Sequence, residues 1–131
     1  LKELGSKHVM VVHGEDGLDE ITLGGPTLIA ELKHGFVTEF KIEPKQFGLD
    51  TASIESIKVK DKESSKQMLL AVLDNQHGPA KDIVMLNAGA AIYVAGIAND
   101  LWGGVTKARE MIESGMARAK LDALVKFTSS L

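Results

Sequence analysis

One apolar stretch limits the possible folds of this chain more than any other feature of its sequence. The stretch, IVMLNAGAAIYVAGIA from Ile83 to Ala98, contains no charged residue and is apolar on almost every side of a helix. A helix of this kind has to be enclosed by other elements, and the stretch is short for a membrane span, which takes about 20 residues. We therefore predict a helix from about Asp82 to Ala98 that is the most buried element of the fold.

Composition excludes several classes of function. The chain has 131 residues, 44% of them hydrophobic, a net charge of -3 and no cysteine. This length predicts one domain with a real hydrophobic core. The lysines are scattered among acids, which argues against nucleic-acid binding, and the missing thiols exclude thiolate catalysis, disulfides and cysteine-ligated zinc. No secretory leader or membrane span is recognised, so we expect a cytoplasmic protein that does not bind membranes.

The first half of the chain is predicted to form strands. Short runs rich in β-branched and aromatic residues give four candidates. These are HVMVV, LIAEL, FVTEFKI and IESIKVK, at residues 8–12, 28–32, 36–42 and 54–60. The first run is apolar throughout and predicts a fully buried strand. The second and third flank KHG and predict a hairpin that turns at Gly35.

The second half is predicted to form four helices, because its apolar residues recur at helical spacing. Serines are expected to cap the first helix, at residues 63–75, and Pro79 opens the second. The third begins after Asn99 or Asp100 and ends at Gly115. The last helix should point three residues inward, namely Leu121, Leu124 and Val125. No repeat or linker divides the chain, so the sequence predicts an α/β fold without an internal domain boundary.

Four carboxylates surround a glycine directly after the first predicted strand, in VVHGEDGLDEI at residues 11–21. Mg²⁺ takes one or two carboxylates from a protein and completes its shell with water and substrate phosphates. Adjacent Asp19 and Glu20 suit that purpose at the carboxyl end of a strand, where open α/β sheets bind ligands. Gly17 would let the chain turn. The residues are also compatible with a solvated acidic loop or a helix N-terminus, and by themselves they leave this open.

Other polar residues in turns and apolar surroundings are assigned structural roles. His13, His34 and His77 stand beside glycines without a second ligand at a metal-binding spacing. We interpret them as turn residues. Asn87, inside the apolar helix, is interpreted as a buried amide whose satisfied hydrogen bonds fix packing.

Four segments, in their order and with their gaps, resemble anthranilate phosphoribosyltransferase. They are VVHGEDGLDEI, FGL at 47–49, DIVMLNAGAAIYVAGIANDL at 82–101 and GVTKAREMIESGMARAKLDALVKF at 104–127. The combination of DGLDE with the LNAGAA helix is far more specific than either motif alone, and the similarity extends over nearly the whole chain. The segment SIESIKVKDKES at 53–64 departs from the family pattern, which leaves its local structure open.

The resemblance implies a fold and an activity. Residues 1–131 would form a single partial domain, the C-terminal portion of the α/β domain of a nucleoside phosphorylase/phosphoribosyltransferase-type fold. The family's N-terminal helical domain and its GTGGD and KHGN phosphate-binding loops would lie upstream. The complete enzyme would be a homodimer that joins phosphoribosyl pyrophosphate to anthranilate, releasing pyrophosphate, in tryptophan biosynthesis. The 131-residue chain alone is expected to be inactive.

The resemblance also assigns the acidic residues. Asp19 and Glu20 correspond to the family's Mg²⁺ ligands, Asp16 would shape the loop, and Glu15 receives no definite role. Two alternatives from other classes remain. One is a relative of pyrimidine nucleoside phosphorylase, which shares the broader fold. The other is a non-catalytic binding or structural module, in which the acids are only a solvated loop.

Overall fold

The structure, a computed structural model, describes residues 1–130 and consists of a three-stranded sheet followed by four α-helices. The strands are β1 (His8–Gly14), β2 (Thr27–Lys33) and β3 (Phe36–Ile42). The helices are α1 (Lys62–Leu73), α2 (Pro79–Val94), α3 (Leu101–Glu113) and α4 (Met116–Thr128). Short 3-10 helices cover Lys2–Leu4, Pro44–Phe47 and Ile54–Ile57. The predicted α/β class, with strands first and four helices after them, is confirmed.

The sheet is antiparallel, with the strand order β1-β2-β3. The hairpin between β2 and β3 pairs Lys33 with Phe36, so His34 and Gly35 alone form the turn. Both turn residues have positive φ, 51° and 81°, as the two-residue turn that matches the twist of a hairpin requires. The predicted hairpin at Gly35 is confirmed.

The prediction of a fully buried first strand is wrong. β1 pairs with β2 and, within residues 1–130, with no other strand, so it lies at an edge of the sheet. One of its faces packs towards α2, while Val11 on the other face is 55% exposed. Within residues 1–130 the acidic segment follows a strand of an antiparallel sheet, whereas a ligand crevice at the carboxyl ends of strands is a feature of mostly parallel sheets.

The strand predicted at residues 54–60 is also wrong. Residues Ile54–Ile57 form a 3-10 helix, and the Ser53 side chain accepts a hydrogen bond from the Glu55 N–H at its start. Asp61, rather than a serine, caps α1: its Oδ1 accepts a hydrogen bond from the Ser64 N–H. In return, the Ser64 hydroxyl oxygen accepts a hydrogen bond from the Asp61 N–H. Side chains of this kind offer the backbone local hydrogen bonds that compete with strand pairing, and this competition overrides the β-branched composition of the segment.

Helix α2 has more buried residues than any other element of the described chain, as predicted. Its buried residues are Lys81, Ile83, Met85, Leu86, Gly89, Ala90 and Tyr93. The helix ends at Val94, short of the predicted Ala98, because Gly96 takes a left-handed conformation with φ of 75° and its N–H bonds back to the Tyr93 carbonyl.

Two glycines allow α2 and α3 to pack backbone against backbone. A Cβ placed on Gly104 would collide with the carbonyl oxygen of Gly89, and a Cβ placed on Gly89 would lie 2.6 Å from the Cα of Val105. Small residues at such a crossing permit the close approach of two helices, and the interior then has no room for an extra carbon.

The start of α3 is confirmed and the orientation of α4 is not. Asp100 caps α3 by accepting the Gly103 N–H at 2.7 Å, and Gly115, with φ of 74°, separates α3 from α4. Of the three residues predicted to point inward, Leu121 is half-buried, but Leu124 and Val125 are 56% and 54% exposed. Helix α4 buries no residue, because the rest of the described chain covers none of its apolar side chains completely.

No helix within residues 1–130 combines the length and the apolar content that crossing a membrane requires.

A polar network joins the inner face of the sheet to α2. His8 Nε2 donates to Glu31 Oε1 at 2.8 Å, and Lys33 Nζ donates to the Tyr93 hydroxyl at 3.0 Å. The His8 ring also meets the Tyr93 ring edge-on, with 4.8 Å between centroids. Burial raises the pKa of Glu31, but hydrogen bonds from Tyr93 and His8 and the positive charges of His8 and Lys33 outweigh it. The net pKa of Glu31 lies below its ordinary value of 4.5.

This network should make stability fall in acid. Because the pKa of Glu31 is lower in the folded than in the unfolded protein, its ionised form stabilises the fold above about pH 4.5, and this contribution is lost as the pH falls through the folded-state pKa. The Glu31→Gln variant should therefore lose less unfolding free energy than the wild type between about pH 6 and pH 3. Urea unfolding across this range measures the difference. The exposed Glu39→Gln is the matched control, and an acid profile for Glu31→Gln that parallels both would contradict the prediction.

Candidate functional site

The acidic segment forms a loop between β1 and β2 whose turn is set by its own backbone. The Gly17 N–H donates to the Gly14 carbonyl at 2.9 Å, and the Gly14 N–H donates to the Leu18 carbonyl at 2.8 Å. Gly17 has a φ of 93°, a conformation that residues with a side chain rarely adopt. The predicted turn at Gly17 is confirmed, and it places the two halves of DGLDE on opposite sides of a tight bend.

Asp16 faces the interior of this loop. Its Oδ2 accepts from the Thr22 hydroxyl at 2.6 Å, and its Oδ1 accepts from the Leu18 N–H at 3.2 Å. The Thr22 Oγ1 accepts in turn from the Gly24 N–H at 2.9 Å. A Cβ on Gly14 or on Gly24 would collide with the Asp16 carboxylate. The loop-shaping role assigned to Asp16 is confirmed by these contacts.

Glu15 is directed towards the sheet. Its Oε1 accepts from Lys41 Nζ on β3 at 2.5 Å, and both side chains are largely exposed. An exposed ion pair of this kind contributes little to stability, about 1 kcal/mol at most. The lysine nevertheless satisfies the Glu15 carboxylate, which separates this acid from the remaining two.

The residues after the acid pair enter the core. Ile21, Thr22 and Leu23 are 2%, 2% and 3% exposed. Asn87 on α2 accepts the Ile21 N–H at 2.9 Å, donates to the Ile21 carbonyl at 2.9 Å and donates to the Ile83 carbonyl at 3.0 Å. The prediction that Asn87 is a satisfied amide is confirmed, although its side chain is half-buried and not fully buried. Its partner Ile21 lies 66 positions away, and no local sequence signal indicated this contact.

Asp19 and Glu20 lie between these two anchored parts of the loop and are exposed. Within residues 1–130 neither carboxylate has a hydrogen bond or an ion pair with another side chain. Of the four acids of the segment, these two therefore remain available to a ligand. Adjacent, solvated carboxylates are the donors that Mg²⁺ prefers.

The number of protein ligands available at this site also fits Mg²⁺. The described residues contain no group of three or more histidine or acidic side chains that could hold a metal alone. A protein cage for Ca²⁺ or Zn²⁺ needs more ligands than a pair. Mg²⁺ keeps several waters and takes further oxygens from substrate phosphates, so two carboxylates are sufficient. The assignment of Mg²⁺ to Asp19 and Glu20 stays a prediction that the chemistry of the donors supports.

Comparison with known proteins assigns the chain to a family. The chain belongs to the glycosyl transferase family, a/b domain, whose family model matches residues 1–118. Its relatives include anthranilate phosphoribosyltransferases. It is 56% identical to the enzyme of Nitrosomonas europaea over 131 residues, and 57% identical to that of Thiobacillus denitrificans over 129 residues. These alignments cover 100% and 98% of this chain and 38% of each relative.

Solved structures give the same result. The anthranilate phosphoribosyltransferase of Thermus thermophilus superposes with a TM-score of 0.86 at 35% identity, over 96% of this chain and 37% of that one. The enzyme of Saccharomyces cerevisiae in complex with PRPP and Mg superposes with a TM-score of 0.82 at 25% identity, over 95% and 36%. The fold is therefore of the phosphoribosyltransferase and nucleoside phosphorylase type, and the chain spans about 38% of the length of the curated relatives it matches.

Proposed function

We propose that the protein containing this chain transfers the phosphoribosyl group of phosphoribosyl pyrophosphate to anthranilate and releases pyrophosphate, a step of tryptophan biosynthesis. The observation that carries the proposal is the 56% identity to an anthranilate phosphoribosyltransferase over the whole of this chain. The relatives and solved structures described above have that name, which favours anthranilate over a nucleoside as the acceptor. A substrate assay with both acceptors distinguishes this function from that of a pyrimidine nucleoside phosphorylase.

Within that enzyme, Asp19 and Glu20 would hold Mg²⁺. Their carboxylates are exposed and free of protein partners, while Asp16 fixes the bend that precedes them. A bound Mg²⁺ neutralises negative charge on a pyrophosphate leaving group. The chain itself contributes position: the loop is tied to the core on both sides of the acid pair, so the two carboxylates need little ordering when the ion arrives.

The chain spans about 38% of the length of its relatives, so the proposed activity should need further parts of the protein. We propose that residues 1–131 form a single partial domain, the C-terminal portion of the phosphoribosyltransferase α/β domain, and that the helical domain and the phosphate-binding loops come from the remainder of the protein. The 131-residue chain alone should then be inactive, because the groups that hold both substrates would be missing. A cytoplasmic homodimer that binds neither nucleic acid nor membrane completes the proposal.

The double substitution Asp19→Asn with Glu20→Gln tests the site in the full-length protein. It removes two negative charges from exposed positions and leaves the hydrogen bonds of Asp16 and Asn87 intact. Turnover should fall, and the Mg²⁺ concentration that gives half-maximal turnover should rise, while the unfolding free energy should change by less than about 0.5 kcal/mol. Loss of anthranilate fluorescence during Mg²⁺ titration measures both kinetic quantities.

A matched control removes two other exposed acids, Glu63→Gln on α1 and Asp122→Asn on α4. It changes the net charge by the same amount, so it separates a local effect on the metal from a general effect of charge. If the loop variant and the control variant show the same turnover and the same Mg²⁺ dependence, Asp19 and Glu20 do not hold the metal.

A further inference from the structure

We infer that Asn87 is a positioning residue for the metal site: through Ile21, it holds the acidic pair Asp19 and Glu20 in the geometry that binds the divalent cation. This inference rests on the proposed function, because it assumes that the acidic pair binds Mg²⁺. Asn87 lies on α2 and does not belong to the loop, so its contact with the site is made through the backbone of one loop residue.

The geometry gives Asn87 an unusual hold on the loop. One side-chain amide pairs with both the N–H and the C=O of Ile21, each at 2.9 Å, and so replaces the pairing that a neighbouring strand would provide. Its remaining N–H donates to the Ile83 carbonyl one turn earlier on α2, at 3.0 Å. That third bond fixes the orientation of the amide, since a rotated side chain would lose all three bonds together.

Ile21 directly follows Glu20, so the hydrogen bonds from Asn87 to the Ile21 backbone act next to the acid pair. On the other side of the acid pair, the Leu18 carbonyl accepts the Gly14 N–H and the Leu18 N–H donates to Asp16. Asp19 and Glu20 therefore lie between Leu18 and Ile21, whose backbone groups are hydrogen-bonded, and Asn87 supplies the hydrogen bonds on the C-terminal side. Partners that hydrogen-bond the metal ligands themselves typically account for a factor of about 10 to 100 in metal affinity, and Asn87 acts on the next residue, so its effect should be at the lower end of that range.

Packing of the Ile21 side chain in the core does not substitute for the hydrogen bonds that Asn87 makes to the Ile21 backbone. The Ile21 side chain is buried at 2% exposure and holds residue 21 at the core, but hydrophobic burial is non-directional and does not itself pair the N–H and C=O of that residue. Without Asn87, the Ile21 N–H and C=O would turn towards water or other partners, because buried backbone groups are costly to leave unpaired. The carboxylate of Glu20, one residue away, would move with them.

The test uses the full-length protein with Asn87→Leu, which keeps the approximate size of the side chain and removes all three hydrogen bonds. Mn²⁺ serves as the probe, titrated in the presence of pyrophosphate and followed by electron paramagnetic resonance. We expect the Mn²⁺ dissociation constant to rise by about 10-fold, and the Ile21 amide to exchange its hydrogen faster. The Mg²⁺ concentration for half-maximal turnover should rise in parallel.

Two further variants keep the outcome decisive. Ile112→Ala truncates a buried side chain on α3 and lowers stability without removing a hydrogen bond of the loop, so its Mn²⁺ affinity should stay near the wild-type value. Asn87→Ala is the milder replacement that decides the question should Asn87→Leu fail to fold, and it should weaken Mn²⁺ binding while Ile112→Ala does not. A folded Asn87 variant with wild-type Mn²⁺ affinity, or with no larger change than Ile112→Ala, overturns the inference.

The double variant Asp19→Asn with Glu20→Gln, measured in the same assay, distinguishes a failure of the metal assignment from a failure of the role given to Asn87. Should it bind Mn²⁺ as the wild type does, the metal site itself is misassigned and the proposed function loses its cation. Should it bind weakly while the Asn87 variants bind normally, the acidic pair holds the metal and only the role of Asn87 is wrong.

Discussion

The Ile21→Ala variant is expected to lose about 2 to 5 kcal/mol of unfolding free energy. Ile21 is 2% exposed and belongs to the same hydrophobic cluster as Leu86 and Met85 of α2. Truncation removes three buried carbons and leaves a cavity that the surroundings can only partly close, because Asn87 holds the backbone of residue 21 in place. The loss should therefore be near the upper part of that range.

Urea unfolding of the variant and the wild type measures the change. Ile97→Ala is the matched control, since Ile97 is the same residue type at 69% exposure, and it should change stability by no more than about 0.5 kcal/mol. Similar losses in the two variants would show that Ile21 does not anchor the loop to the core. The metal site would then be built on a less stable segment than the structure describes.

The Gly104→Ala variant should lose about 1 to 3 kcal/mol. The added Cβ would collide with the Gly89 carbonyl of α2, which is backbone and cannot rotate away as a side chain could. α2 and α3 would have to separate, which loosens contacts along both helices. The intrinsic preference of helices for alanine over glycine, about 1 kcal/mol, acts in the opposite direction and offsets only the lower end of this range.

Gly103→Ala makes the sharpest comparison, because it adds the same carbon one residue earlier in the same helix. There the nearest atoms are Asp100 Oδ1 at 3.2 Å and the Cβ of Ala98 at 3.6 Å, and both can adjust. This variant should unfold at the wild-type urea concentration or above it. A loss of stability at Gly103 equal to that at Gly104 would mean that the helix crossing is less close than the structure shows.

Local signals in the sequence predicted the parts of the fold that depend on neighbours along the chain. Asp100 and Gly115 mark the start and end of α3 because caps and left-handed glycines act within one turn. His34 and Gly35 form the predicted hairpin turn for a similar reason. The apolar character of α2 also predicted its burial, since a helix without a polar face has no stable position on a surface.

Two of the errors occurred where a partner distant in sequence decides the outcome. β1 has the composition of a buried strand, but its exposure depends on which strands pair with it, and β2 is its only partner in the described part of the chain. Leu124 and Val125 have helical spacing, but spacing cannot say whether another element covers them. The segment at residues 54–60 failed for a local reason: the hydrogen bonds of Ser53 and Asp61 outweighed its strand-forming residues.

The candidate site divides along the same line. The sequence by itself determined that four acids follow a strand, that Gly17 turns the chain, and, by resemblance, that Asp19 and Glu20 are the pair to consider. Only the structure gave the other two acids their partners, because Lys41 on β3 binds Glu15 and Thr22 binds Asp16. Only the tertiary structure brought Asn87 to Ile21, across 66 positions. Such a contact follows from the packing of a helix against a loop, and hydrogen bonds between distant residues have no periodicity that a sequence could display.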